Sequence, residues 1–135
     1  MEIKDFTVGQ RVWVKLTGNR ARGKSGNELI QEWEVVSIGR KYIKAKPLGG
    51  SDWCGISFEK REYGYSDKFV EKSDYTPCYI LYADRQLILD EMESEQLLNK
   101  VLYYFRGVGE KALTLEQLRE INTIIFGKEN DNGER

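Results

Sequence analysis

Histidine is absent from all 135 residues. That absence removes the usual general base of nucleophilic catalysis and the commonest metal-ligating side chain. Cys-His, Ser-His and His-metal chemistries are therefore excluded within the chain. Cysteine is scarce as well: Cys54 and Cys78 lack metal-motif spacing, and two positions alone do not define a disulfide. They read as buried or partly buried free thiols. No apolar run approaches the roughly 20 residues that a spanning helix needs. The opening Met1-Glu2-Ile3-Lys4-Asp5 has no basic region followed by an apolar stretch, so the default expectation is the cytoplasm. A phosphate-binding glycine fingerprint is also missing, because Gly23-Lys24-Ser25 lacks the preceding glycine of that motif. No cofactor is implied.

What is present is a polarised chain long enough for one self-supporting core. Residues 1–50 carry 10 Lys and Arg against 5 Asp and Glu, whereas the remainder carries 11 against 17. The net charge of −1 conceals this division. Such asymmetry marks either an anionic partner for the first half or two differently charged surfaces that attract each other.

The hydrophobic pattern divides at the same place. Val12, Val14 and Leu16 alternate with Arg11, Trp13 and Lys15, the period-two signature of a strand with one buried face. Gly9, just before it, is expected to supply a tight bend that sets Phe6 and Val8 against the sheet. Glycine, serine and asparagine punctuate residues 17–28, which read as a long loop. Residues 29–46 read as a hairpin turning at Gly39-Arg40, with glycine first in a two-residue connection. Shorter strands follow around 54–60, 68–70 and 78–82.

After Ala83 the period changes. Leu87, Ile88, Met92, Leu98, Val101, Leu102 and Phe105 recur at three- and four-residue spacing, predicting an amphipathic helix from Asp84, its candidate N-cap, to Phe105. Gly107 and Gly109 end it. Thr114 and Gln117 form a capping-box pattern before a second helix that Gly127 stops, and 129–135 read as a frayed polar tail.

The segment Phe6-Thr7-Val8-Gly9-Gln10-Arg11-Val12-Trp13-Val14 resembles the opening of SH3-like barrels, the class that includes KOW and Tudor modules. The resemblance implies a mainly β protein with added α structure. Residues 1–82 would form a five- or six-stranded SH3-like barrel, 83–128 a helical appendage packed on it, and 129–135 a tail. The layout, carried by Val36-Ser37-Ile38-Gly39-Arg40-Lys41-Tyr42, Tyr79-Ile80-Leu81-Tyr82 and Leu113-Thr114-Leu115-Glu116-Gln117-Leu118-Arg119, also resembles small proteins of phages and mobile elements of Gram-positive bacteria. That likeness implies a noncatalytic accessory protein acting on a host macromolecule, with a host protein as partner and an inhibitory role within reach.

A nucleic-acid module is the alternative, since SH3-like folds host several binding functions. Arg20, Arg22 and Lys24 lie in the glycine-rich loop, supported by Lys15, Arg40, Lys41, Lys44 and Lys46. Cations on a mobile loop reach phosphates while exposed aromatics such as Trp13 or Tyr42 stack on bases. Against this stands a pI of 5.7. Trp53, Tyr63, Tyr65 and Tyr75 are candidate protein-binding anchors. A DNA-reading helix pair is disfavoured because the second helix lacks positive bias, and the acidic run from Asp90 to Glu95 reads as helix-dipole stabilisation. Carboxylate pairs such as Asp52 with Glu59, or Glu62 with Asp67, are the only hint of acid-base chemistry.

Overall fold

The computed structural model describes residues 1–63, 66–107 and 113–133, without the side chains of Asp52 and 128–133. Six strands, β1 (Arg11–Leu16), β2 (Ile30–Ile38), β3 (Tyr42–Pro47), β4 (Ile56–Tyr63), β5 (Ser66–Glu71) and β6 (Tyr79–Tyr82), are followed by helices α1 (Arg85–Arg106) and α2 (Leu115–Gly133). Each strand pairs antiparallel with the next, and β6 returns to β1, so the sheet closes into a barrel. Closure leaves no strand edge open for pairing with another chain. The expected SH3-like barrel followed by two C-terminal helices is the architecture found.

Alternation along the strands fills the interior. Val12 and Val14 from β1, Trp33 and Val35 from β2, Ile43 and Ala45 from β3, Phe58 from β4, Phe69 from β5 and Leu81 from β6 form one core, which Phe6 joins from the N-terminal segment. Phe6 meets Phe69 edge-on with ring centroids 5.3 Å apart. The bend that delivers it lies at Gly9, whose φ of +88° belongs to the left-handed region that favours glycine. The Gly9 amide donates to the Val35 carbonyl at 2.9 Å, tying the segment to β2. Val8, expected beside Phe6, instead faces solvent, because it stands with Gly9 at the centre of a turn that the Gln10 amide closes by donating to the Thr7 carbonyl at 3.1 Å, and so leaves the extended path on which it would share the side of Phe6.

A second, smaller core lies on the outside of the barrel. Ile80 and Tyr82 project outward from β6 and meet Ile88 of α1, with Trp13, Ile30, Tyr63 and Met92 packed around them. This accounts for the consecutive buried residues Ile80, Leu81 and Tyr82 of β6, where both faces are covered. The first turns of α1 thus belong to the barrel unit, which runs Met1–Met92, while Glu93–Arg135 form a unit of their own. Asp84 caps α1 as expected, its Oδ1 accepting from the Gln86 amide at 3.0 Å.

In the second unit the Thr114 Oγ1 accepts from the Gln117 amide at 3.1 Å, and the Gln117 Oε1 accepts from the Thr114 amide at 3.0 Å. The predicted capping box is therefore formed. Gly127, with φ 55° and ψ −141°, breaks the helical path, although helical backbone resumes to Gly133. Gly109 and Tyr65 lie outside the described residues.

The hairpin turn differs from expectation. Gly39 donates its amide to the Tyr42 carbonyl at 2.9 Å, so Arg40 and Lys41 occupy the centre of the bend and glycine precedes it. Neither central residue has positive φ, and nor does Gly39. The turn therefore does not use glycine's conformational freedom. A register shift between Val35 and Ser37 supplies extra local twist beside it.

Candidate nucleic-acid interface

β3 alternates sharply. Ile43 and Ala45 are wholly buried, so Tyr42, Lys44 and Lys46 point away from the core. Cross-strand pairing extends this outer face over β4 and the end of β5: Tyr42 lies opposite Glu59 and Lys44 opposite Ser57. The Lys72 amide donates to the Ser57 carbonyl at 2.9 Å, placing Lys72 next in that row.

Tyr42 consequently sits between two cations. The Lys41 and Lys72 ammonium groups each lie 5.7 Å from its ring centroid, within the range of cation–π attraction. Arg40 stands exposed at the adjoining turn. Acidic residues pair with other cations of the barrel: Glu32 with Arg11 at 2.8 Å and, at the far end of the same β3 row, Glu34 with Lys46 at 3.5 Å. Among the described residues, Lys41, Lys44 and Lys72 form no ion pair. Tyr42 is half-buried and has Glu59 opposite it across the strands, so the face offers the exposed part of an aromatic ring for stacking together with phosphate-seeking charge.

The other sequence-selected residues are distributed differently. Lys15 is 9% exposed, and its Nζ donates to Glu91 at 3.3 Å. It serves the outer core's polar margin, where Lys68 and the Tyr82 hydroxyl also donate to Glu91, each at 2.8 Å. Burial pushes the Glu91 carboxyl up, but its bonds from Lys68 and Tyr82 and the charges of Lys68 and Lys15 outweigh that effect and hold it below its ordinary value. Trp13 is likewise no open stacking platform. It is half-buried in the outer core, with the Arg85 guanidinium 6.0 Å from its ring.

Arg20, Arg22 and Lys24 are exposed in the β1–β2 connection, which is structured where the sequence reads as a mobile loop. Two short 3-10 helices, Gly18–Ala21 and Gly26–Leu29, occupy it. Thr17 anchors its start, donating its amide to Cys78 and its hydroxyl to Pro77 at 2.9 and 2.8 Å. Near its end Asn27 accepts from Arg85 at 2.7 Å. Arg20 lies 5.9 Å over the Tyr79 ring.

This connection enters β2 at Ile30, whereas Arg40 and Lys41 follow its far end at Ile38. Eight steps of about 3.3 Å separate those ends, roughly 26 Å. The structure thus divides the eight sequence-selected residues. Lys41, Tyr42 and Arg40 come together, Trp13 and Lys15 lie under the start of α1, and the three loop cations stand beyond the other end of β2. Lys72, which completes the Tyr42 cluster, was missed because no local pattern reveals which strand will lie two places away.

Of the candidate protein anchors, Trp53 is 84% and Tyr75 86% exposed, while Tyr63 packs in the outer core. Cys54 is exposed rather than partly buried, Cys78 is half-buried, and both are free. Glu62 and Asp67 are direct partners across β4 and β5, but both are open to solvent. The Asp52 side chain lies outside the described residues.

Comparison with known proteins adds one finding. No curated protein and no solved structure matches the chain. Among protein families, the Phage ProQ C-terminal-like domain matches residues 1–132, a span that takes in the barrel, both helices and the connection between them. No helix among the described residues is long and apolar enough to cross a membrane. The expected phage connection is thereby found at the level of the family: the chain belongs to the Phage ProQ C-terminal-like domain family.

Proposed function

We propose that the chain is a noncatalytic binding domain of a phage protein, taking single-stranded nucleic acid on the outer face of β3 and β4 around Tyr42. The observation that carries this reading is the Tyr42 ring between the Lys41 and Lys72 ammonium groups, 5.7 Å from each. Lysine reaches phosphates as a mobile point charge, and an aromatic ring accepts any base face. The combination favours a flexible strand, whose unpaired bases expose those faces, over a duplex, whose bases are already stacked.

Fluorescence anisotropy with labelled single-stranded RNA and DNA oligonucleotides tests the reading. Binding should weaken steeply with salt, because each neutralised phosphate releases counterion. Tyr42→Ala should cost about tenfold in affinity, consistent with roughly 1–3 kcal/mol per stacked base, and Lys72→Glu should also flatten the salt slope. Equal affinity of both variants and the parent for the oligonucleotides would sink the proposal.

A second reading rests on Trp53 and Tyr75, both almost fully exposed. They lie in the β3–β4 and β5–β6 connections, which leave the same end of an antiparallel barrel. Exposed aromatics of this kind are anchors for a protein partner. A host protein whose binding survives nuclease and is lost in a Trp53→Ala, Tyr75→Ala double variant would favour this reading.

A further inference from the structure

Glu59 is out of keeping with the cations around Tyr42. Phe58 is wholly buried, so its neighbour Glu59 points outward from β4, directly across from Tyr42. Residues opposite each other in antiparallel strands hold their Cβ atoms about 4.5–5.5 Å apart, which puts the Glu59 carboxylate within reach of a group lying on the Tyr42 ring. Lys44 stands two residues on from Tyr42 along β3, and Lys72 stands two residues beyond Val70, the partner of Glu59 on β5. The outward carboxylates of β2, Glu32 and Glu34, are both ion-paired. Among the described residues, half-buried Glu59 makes neither a hydrogen bond nor an ion pair.

A carboxylate in that position works against phosphate binding, because it repels the backbone that Lys41 and Lys72 attract. It is suited instead to the edge of a base. An ionised carboxylate only accepts hydrogen bonds, through two oxygens side by side, so it favours a base that presents two adjacent donors. Among the common bases guanine does so, with its N1–H next to its N2 amino group. Cytosine and adenine set one amino donor beside an acceptor nitrogen, and uracil flanks its single N–H with two carbonyls that the carboxylate repels. Unpaired bases are read on these edges while their faces stack on aromatic side chains.

We propose that Glu59 gives the Tyr42 face a preference for guanine. The base stacks on the exposed part of the Tyr42 ring and donates from N1–H and the N2 amino group to the two Glu59 oxygens, while Lys41 and Lys72 hold the flanking phosphates. A charge-assisted contact of this bidentate kind adds geometric specificity to its energy. The inference rests on the single-stranded nucleic-acid reading and adds to it which base occupies the site.

Fluorescence anisotropy of the full chain with labelled uridine oligoribonucleotides, identical except for one central guanine, adenine, cytosine or uracil, tests it. The guanine oligonucleotide should bind about tenfold more tightly than the uracil one, as a good bidentate pair allows. Hypoxanthine in place of the guanine, which lacks the 2-amino donor, should remove most of that preference, whereas 7-deazaguanine, which lacks only the N7 acceptor, should keep it. Glu59→Gln should melt like the parent, keep the salt dependence of binding and bring the four affinities within about twofold of one another. Equal affinity of the parent for all four oligonucleotides overturns the inference and leaves the nucleic-acid reading standing. So does a guanine preference that survives Glu59→Gln or the loss of the 2-amino group, or one that 7-deazaguanine abolishes, since lysines acting at O6 and N7 would then supply it. Should Glu59→Gln misfold, the two guanine analogues still decide the matter. A chain that binds none of the oligonucleotides at low salt overturns the nucleic-acid reading and this inference with it.

Discussion

Glu91 shows how one side chain joins two elements. Its carboxylate leaves α1 to accept from Lys68 of β5, Tyr82 of β6 and Lys15 of β1, three strands that are neighbours only in the closed barrel. It also lets Lys15 be buried without an unpaired charge, a state that would be costly. We expect Glu91→Gln to lower stability by about 2 kcal/mol near neutral pH, because Lys68 and Lys15 then lose the charge of the carboxylate they share at a half-buried site. The pH dependence follows from the lowered carboxyl. A depressed folded value means stability that is present above the ordinary carboxylate range, near 4.5, and is lost as pH falls through the folded value. Denaturant melts should therefore show the parent and Glu91→Gln diverging above that range and converging at lower pH; a gap that stays constant on acidification would remove Glu91 from this role.

At the scale of elements, α1 starts where its sequence says. Asp84 accepts from the Gln86 amide at 3.0 Å, and the helix then places Ile88 over the barrel. Asp84→Ala should cost about 1 kcal/mol, the usual value of an N-cap, read as a lower melting temperature of the whole barrel unit. Melting unchanged from the parent would mean that this end of α1 contributes nothing to the unit. The strands were legible for the same reason as the helices: alternation in β1 and β3 and three-to-four spacing in α1 are local records of which face is buried. The β2–β3 turn was placed one residue early because glycine suggested a positive-φ turn, whereas the bulge at Val35–Ser37 adjusts the approach of the strands and leaves Arg40 and Lys41 to bend with ordinary angles. The outer core was legible only from its helix side, since Ile88 and Met92 lie on the apolar stripe of α1, whereas alternation assigns Trp13 of β1 to solvent.

For the molecule as a whole, the decisive matter is which cations act together. Barrel topology gathers Lys41, Tyr42, Lys44 and Lys72 on one face, and β2 separates them from Arg20, Arg22 and Lys24. Charge reversal of those three loop residues should therefore reduce oligonucleotide binding only about two- to threefold at moderate salt, as distant screened charges do, with little change in melting temperature. A loss as large as that from Tyr42→Ala would move the interface to the β1–β2 connection.

Sequence alone determined the kinds of element and their order, because strand and helix are written in short-range periodicity and in caps such as Asp84 and Thr114. It also determined the chemistry the chain forgoes by having no histidine. Tertiary structure alone decided which residues meet: that Lys15 turns to Glu91 rather than to a ligand, that Trp13 goes under α1, and that Lys72 arrives beside Tyr42. Those outcomes depend on register around a closed sheet. A strand knows its own two faces from its sequence, but what covers its outer face is settled only when the last strand reaches the first.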